Sequence, residues 1–380
     1  MWVSIVIAVV LGIALVAGIT GTILYRNLSD QIVSSTLDTS HLDEQAESET
    51  PVIDSFEGRD VNILLMGIDS RQNQEEGLIN EGDDDETTRS DTTLLMNISA
   101  DRQHVTLVSI PRDLWVYLPD CTRTDGSVSP EQWGQFNWAF SYGSYGDDLA
   151  GGVACTEKTV EELTGVPIDG FAVIDFSGFA QMVEALGGIE VCLEEPINDE
   201  EYLGLTLPAG CQVLDPIIAT QYARVRYVGD GSDMGRIQRQ QDLLGSMVVK
   251  ALDQNLLTDM PQLYSFLSAA LDTTRLSPSL SSLRTDAGLA SSIKNTPRSN
   301  IRFVTMPVVT ADFDMNRLLP KEPENGALWE SIINGENLPA GTVFMDLEGN
   351  YYTMTEDGFA EPGGDPRTDD EIGSFTGDEG

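Results

Sequence analysis

Apolar positions fall into three kinds of run along these 380 residues. The first is unbroken: from Trp2 to Tyr25 (WVSIVIAVVLGIALVAGITGTILY) no residue is charged. Its 24 residues exceed the ~20 that a helix needs to cross a bilayer core. The run is also too long for the apolar part of a cleaved signal peptide, so it predicts a single transmembrane helix over residues 1–26. The second kind is short and rich in apolar or β-branched residues. Val61–Met66, Thr92–Ile98, Val105–Ile110, Phe171–Ile174, Ile189–Leu193 and Ile301–Met306 are the expected strands. The third kind has helical spacing. Phe179, Met182, Val183 and Leu186 stand at i, i+3, i+4 and i+7, with Ser177 as the expected N-cap and Gly187-Gly188 as the stop. Ala150–Leu163 reads as a helix ended by Gly165 and Pro167, and Asp215-Pro216 as a cap followed by Pro at the first helical position. A long helix is expected from Asp233 to about Leu252. Strands alternating with helices predict one α/β domain built on a layered sheet.

The polar stretches set its limits. Residues 27–58 read as an acidic extracytoplasmic tether, 59–345 as the folded domain, and 346–380 as a disordered acidic tail. From Glu356 to Gly380 there are nine acids, one Arg and six glycines. Charge sharpens the picture: 62 acidic against 21 basic residues gives a net charge of −41, which excludes a general nucleic-acid binder. Only Lys158, Lys250, Lys294 and Lys321 are lysines, and an acidic, lysine-poor chain suits high ionic strength. With only His41 and His104, an HExxH zinc site cannot be written, and a Ser-His-Asp triad has no promising base. Four cysteines without a C-x-x-C, behind an expected anchor, predict two disulfides in an oxidising compartment. Of three possible connectivities the nearest-neighbour pairing is expected, Cys121–Cys155 and Cys192–Cys211. Cys192 ends a strand, and Cys211 follows a Pro-Ala-Gly turn that can lead the chain back.

In so acidic a chain, the positions of the arginines carry information. Arg71 follows the first strand, Arg89 precedes the second, and Arg112 follows the third in a Pro-Arg-Asp. Arg224 and Arg226 form an R-x-R, and Arg236 and Arg239 open the long helix beside Gln240. Any one of them could simply pair with a surface carboxylate. Seven at element boundaries favour an anion site, because Arg grips phosphate bidentately and α/β folds build ligand sites at strand ends. Asp69 and Asp91 flank the same strands. Two carboxylates facing phosphate suggest Mg²⁺, although Asp69 could also serve only to close a turn. GGVACTEKT is not a Walker A loop, since Glu157 stands where Gly is needed.

The ordered set GIDSR, RSDTTLLMNI, VSIPRDLWV, FNWAFSYG, the stretch from Lys158 to Val191, and YARVRY…DMGRIQRQQ resembles the LytR–CpsA–Psr family. The resemblance covers about Asp60 to Leu252, and it rests on the combination of motifs. It implies a three-layer α/β/α domain with a central mixed sheet, extracytoplasmic and preceded by one membrane span. It implies an enzyme that moves a glycopolymer from a polyprenyl-pyrophosphate carrier onto peptidoglycan as a phosphodiester, with Mg²⁺ (or Mn²⁺ in its place) on Asp69 and Asp91. Arg89 and Arg112 would act with those carboxylates; Arg224, Arg226, Arg236 and Gln240 would hold the pyrophosphate, joined by Arg71, Lys158 and Arg239. Phe171, Phe179, Met182, Val183 and Leu186 are the expected lining for the lipid. The chain departs from the family in an insertion from Gln74 to Glu86 carrying seven acids, in Pro216 where Gly is usual, and in lacking basic residues before the span. The rival expectation is a membrane-bound regulator that binds lipid-linked intermediates without turning them over.

Overall fold

The computed structural model describes residues 23–39, 42, 56, 58–69, 88–145, 148–200, 203–225, 233–254 and 260–363. A helix, α1 (residues 23–34), leads to the adjacent strands β1 (Val61–Ile68), β2 (Ser90–Ile98) and β3 (Val105–Ile110). Four short strands follow, β4 (Trp115–Leu118), β5 (Cys121–Thr122), β6 (Val128–Ser129) and β7 (Gln132–Gln135). Next come α2 (Trp138–Gly143), α3 (Leu149–Thr164), β8 (Gly170–Asp175) and α4 (Phe176–Ala185). The strands β9 (Ile189–Leu193), β10 (Ile197–Asp199), β11 (Leu205–Leu207) and β12 (Gly210–Leu214) precede α5 (Pro216–Arg224), α6 (Asp233–Asp253) and α7 (Met260–Thr273). The remainder is β13 (Arg275–Leu276), α8 (Leu283–Ile293), β14 (Ile301–Thr305), β15 (Val308–Ala311), β16 (Asp314–Pro320), α9 (Glu324–Ile333), β17 (Val343–Asp346), β18 (Tyr351–Met354) and β19 (Ala360–Pro362).

Nine strands form one sheet in the order β13-β8-β1-β2-β3-β14-β17-β18-β19. β1 runs parallel to β8 and β3 to β14, while the other neighbours are antiparallel, so the sheet is mixed as expected. Alternation along β1 explains why it lies inside. Leu64, Met66 and Ile68 join a core with α2, α3 and α9, whereas Val61 and Ile63 join a second core with α6 and α8. Successive strand side chains point to opposite faces, so a strand apolar at both phases must be covered twice. A third core gathers α4, β9 to β12, α5, α6 and α7 around Val183, Leu186, Leu214 and Tyr222.

Several expectations match residue for residue. β3 and β9 have the expected bounds. The Asp215 carboxylate accepts the Ile218 N–H at 2.9 Å with Pro216 at the helix start. Cys121 of β5 is bonded to Cys155 of α3, and Cys192 to Cys211, which face each other across the β9–β12 ladder. The cap of α4 is a correction: Asp175, not Ser177, accepts the Gly178 N–H at 2.8 Å. Asp175 is still extended (φ −92°, ψ 172°), as a cap must be, and Ser177 already lies in the first turn, donating to the Asp175 carboxylate.

Both flanks need revising as well. Part of the expected tether is docked, because Leu28 and Ile32 of α1 are buried, Gln31 bonds Ser268 of α7, and Leu37 N–H donates to the Leu276 carbonyl. Apolar residues spaced four apart give α1 a face to bury, which the polar average of the segment conceals. The boundary at 345 cuts β17. β18 and β19 extend the sheet beyond it, Met354 is 2% exposed, and Tyr352 stacks on Phe344 at 5.6 Å. Of the expected span over residues 1–26, residues 1–22 lie outside the described residues and 23–26 open α1. Among the described residues no helix is long and apolar enough to cross a membrane.

Candidate functional site

Three segments converge where β1 ends and β2 begins. Asp69 directly follows β1, and its N–H donates to the Arg89 carbonyl at 3.2 Å, which keeps the two chains paired up to the mouth of the ladder. The register slips between Gly67 and Ile68, and a Cβ on Gly67 would stand 3.1 Å from that of Thr92, so the strands close tightly here. Asp91 is the second residue of β2, partly exposed, between the buried Ser90 and Thr93.

Arginines reach these carboxylates from three elements. Arg112, just past β3, places Nη1 3.1 Å from Asp91 Oδ1 and Nε 3.4 Å from Asp113 Oδ2. Arg236, in the first turn of α6 and 3% exposed, donates from Nη2 to the Asp91 carbonyl at 3.0 Å and holds Nη1 3.9 Å from its carboxylate. Arg224 closes α5, with Nη2 3.9 Å from Asp69 Oδ2 and its guanidinium 4.9 Å from the centre of the Phe176 ring. A small pocket lies among Asp91, Thr93, Ser109, Arg112, Arg236 and Gln240. Arg239 and Gln240 tie α6 to the end of α5 by donating to the Val225 carbonyl at 2.7 Å and the Ala223 carbonyl at 3.4 Å.

Two further contributors lie inside the quoted motifs but outside the expected site set. Gln241 donates to Ser109 Oγ at 2.8 Å and to Thr305 Oγ1 at 3.2 Å, seating the start of α6 on the ends of β3 and β14. Phe176 supplies the face that supports Arg224. Both follow a recognised motif residue by one position or open a recognised helix, so only the register of the folded elements reveals them.

Not every expected residue joins the group. Arg71 and Arg226 lie outside the described residues. Lys158, on α3, donates to the Asp120 carbonyl at 2.8 Å and pairs with its carboxylate at 3.1 Å, beside the Cys121–Cys155 bridge. The expected lipid lining divides: Met182, Val183 and Leu186 belong to the third core with Phe179 packed against it, but Phe171 is buried in the core on the α2, α3 and α9 side. Phe171 therefore shares no wall with the other four, because β8 turns it to the opposite layer from α4.

Among the described residues, the guanidiniums of Arg112, Arg224 and Arg236 gather here on the carboxylates of Asp69, Asp91 and Asp113. Among the described residues no cluster of three or more metal-ligating side chains occurs. Two partly exposed carboxylates supply hard oxygen donors, a set that suits Mg²⁺ once phosphate oxygens complete the shell.

An α/β protein with a central mixed sheet and arginines gathered on aspartates at its strand ends is the class these observations define. Within it, the chain belongs to the LytR_cpsA_psr family, whose model matches residues 29–332. Among curated proteins it is 27% identical over 335 residues to the cell wall biosynthesis protein LcpA of Corynebacterium glutamicum, covering 81% of this chain and 59% of that protein. It is 28% identical over 212 residues to the polyisoprenyl-teichoic acid–peptidoglycan teichoic acid transferase TagU of Enterococcus faecalis, covering 56% and 60%. The chain thus spans 50–60% of the length of the first curated relatives it matches. Solved structures agree in fold: a protein of Streptococcus agalactiae (TM-score 0.58, 20% identity, 74% of this chain and 90% of that one) and TagT bound to LI-WTA (TM-score 0.54, 22% identity, 77% and 96%).

Proposed function

We propose that this protein is a membrane-anchored, extracytoplasmic transferase that moves a glycopolymer from a polyprenyl-pyrophosphate carrier onto peptidoglycan. The observation that carries the reading is the convergence of Arg112 and Arg236 on Asp91, with Arg224 facing Asp69. Relatives named as transferases of teichoic acid to peptidoglycan support the choice of substrate class. The two disulfides support an oxidising location, and the uncharged run before Arg26 supports the anchor.

Phosphoryl transfer asks a protein for positioning and for neutralisation of developing charge, more than for covalent help. Arg112 and Arg236 would grip the pyrophosphate oxygens, and Arg224, braced on Phe176, would hold its far side. A hydroxyl of the wall glycan attacks the phosphorus nearer the sugar. The new O–P bond forms as the P–O–P bridge breaks, the electron pair and the negative charge leave with the lipid phosphate, and the hydroxyl proton passes to solvent. Asp69 and Asp91 would hold Mg²⁺, which when bound screens charge between the phosphates. In the free protein the same carboxylates keep the arginines aimed inward, so the site is organised before the donor arrives.

The test uses purified protein, Mg²⁺, a lipid-pyrophosphate oligosaccharide and peptidoglycan, with the linkage in the product analysed. Asp91→Ala should abolish transfer while far-UV circular dichroism and melting stay near the parent, and Asp69→Ala should behave alike. Full activity in the double variant would sink the mechanism and leave a protein that binds lipid-linked intermediates without turnover.

A further inference from the structure

Beside the arginines the chain carries aromatic rings on a ribbon face that points away from the main core. β4 and β7 form an antiparallel ribbon whose inner residues, Val116 and Leu118, are buried in the main core. The outer face therefore carries Trp115 and Tyr117 from β4, with Trp133 of β7 directly opposite Tyr117. Trp133 is 61% exposed, and its ring centre lies 6.1 Å from that of Tyr117. Trp138, from the start of α2, meets Trp115 edge to face at 6.3 Å, and Phe313, in the β15–β16 turn and 62% exposed, meets it at 5.7 Å. The two hairpins thus deliver four rings, Trp115, Tyr117, Trp133 and Phe313, to one surface, while Trp138 backs Trp115 from the main core. Exposed apolar patches of this kind mark binding sites.

The patch is continuous with the pocket. Gln135, opposite Trp115 in the ribbon, donates to Asp113 Oδ1 at 2.7 Å; Asp113 Oδ2 lies 3.4 Å from Arg112 Nε, and Arg112 reaches Asp91. Asn137 N–H, between the ribbon and Trp138, donates to the Arg112 carbonyl at 3.2 Å. The rim is acidic: Tyr117 donates its hydroxyl to Glu131 at 2.5 Å, and Asp314 flanks Phe313. An anionic polymer is repelled there, whereas sugar hydroxyls find carboxylate acceptors and sugar rings find flat apolar faces. Residues two apart on a strand stand ~7 Å apart on one face, so Trp115 and Tyr117 present their rings side by side.

We propose that this ring surface binds the acceptor, an uncharged glycan strand whose sugars stack on Trp115, Tyr117, Trp133 and Phe313 and lead a hydroxyl to the pocket. The inference rests on the transferase reading above. The donor already has a handle, its pyrophosphate, on the arginines. The acceptor carries no phosphate at its reacting end and must be held by a non-ionic surface, which the rings provide next to Arg112.

The experiment uses the full chain carrying Trp133→Ala, Phe313→Ala or both, positions exposed enough to keep the fold, with Tyr145→Ala as an exposed aromatic control away from the ribbon. Binding of tetra-N-acetylchitotetraose is read by tryptophan fluorescence and calorimetry, and transfer kinetics are read separately for donor and acceptor. The expected result is at least a tenfold weaker tetrasaccharide affinity and a matching rise in acceptor KM in the double variant, with donor KM unchanged and the control like the parent. Unchanged tetrasaccharide binding overturns the proposal, as does a rise confined to donor KM, which would assign the rings to the donor's sugars. So does loss of a dimer in sedimentation with glycan binding intact. Ring-dependent binding in a protein that transfers nothing upholds the platform and overturns the transferase reading, so the two fail separately.

Discussion

At the scale of single residues, the site rests on a few guanidinium–carboxylate geometries, and these allow chemistry to be separated from charge. Arg112 uses Nη1 toward Asp91 and Nε toward Asp113, a forked engagement that an ammonium cannot copy. Arg112→Ala should weaken donor binding by about 1.5–3 kcal/mol, roughly tenfold to a hundredfold in donor KM. Arg112→Lys should recover only part of that loss, as steady-state kinetics over a range of donor concentrations will reveal. A second residue is set by burial alone. Asp286, in the first turn of α8, is pushed up to about 7 because its carboxyl is desolvated. A carboxyl whose folded value lies above the ordinary 3.8 stabilises the fold below about pH 4, and that contribution is lost as pH rises through about 7. Asp286→Asn should therefore gain stability over the parent by roughly 2–4 kcal/mol at about pH 8, and little at about pH 4, in urea melts at each pH. The arginine–aspartate pairs follow from their place at element ends: Arg112 and Arg236 meet Asp91, and Arg224 approaches Asp69. Lys158 and Phe171 came from motif and periodicity, neither of which says on which layer a side chain lands.

At the scale of elements, the central strands were readable and the flanks were not, for one physical reason. β1, β2 and β3 feed apolar side chains to cores on both faces, so each carries a consecutive apolar stretch that stands out, as Leu94-Leu95-Met96 does in β2. β15, β18 and β19 expose much of their surface, and their sequences are correspondingly mixed with polar residues. In the third core α4 and β9 were readable, whereas β10 and β11, at three residues each, are too short for period-two alternation to register. The acidic average of the last 35 residues concealed Met354 and Tyr352, which stacks on Phe344 of β17. Truncation after Tyr352 should accordingly destabilise the fold by at least about 2 kcal/mol, the cost of a buried Met, with a fall in Tm of about 4–8 °C by calorimetry. An unchanged melting profile would mean that β18 and β19 contribute nothing.

At the scale of the whole molecule, a charge of −41 sets the conditions under which all these contacts operate. Like charges on a compact surface repel, and dissolved ions screen them over about 10 Å at 0.1 M. Raising sodium chloride from low to molar concentration should therefore raise Tm, with the steepest gain at the low end, whereas donor affinity should fall as its contacts with the arginines are screened. A Tm that falls with salt would mean that local ion pairs outweigh the global repulsion.

The seating of α1 has a mechanical consequence. Between Ser35 and Leu37 the chain is pinned to Leu276 by two main-chain hydrogen bonds, and Leu28 and Ile32 are sunk into the body behind it. Tension entering ahead of residue 23 is therefore taken up at α7 and at β13, the edge strand of the sheet, before it can reach β1 and the carboxylate at its far end. The arrangement works as the strain relief on a cable does: a pull on the cord is borne by the casing, and the terminals inside keep their alignment.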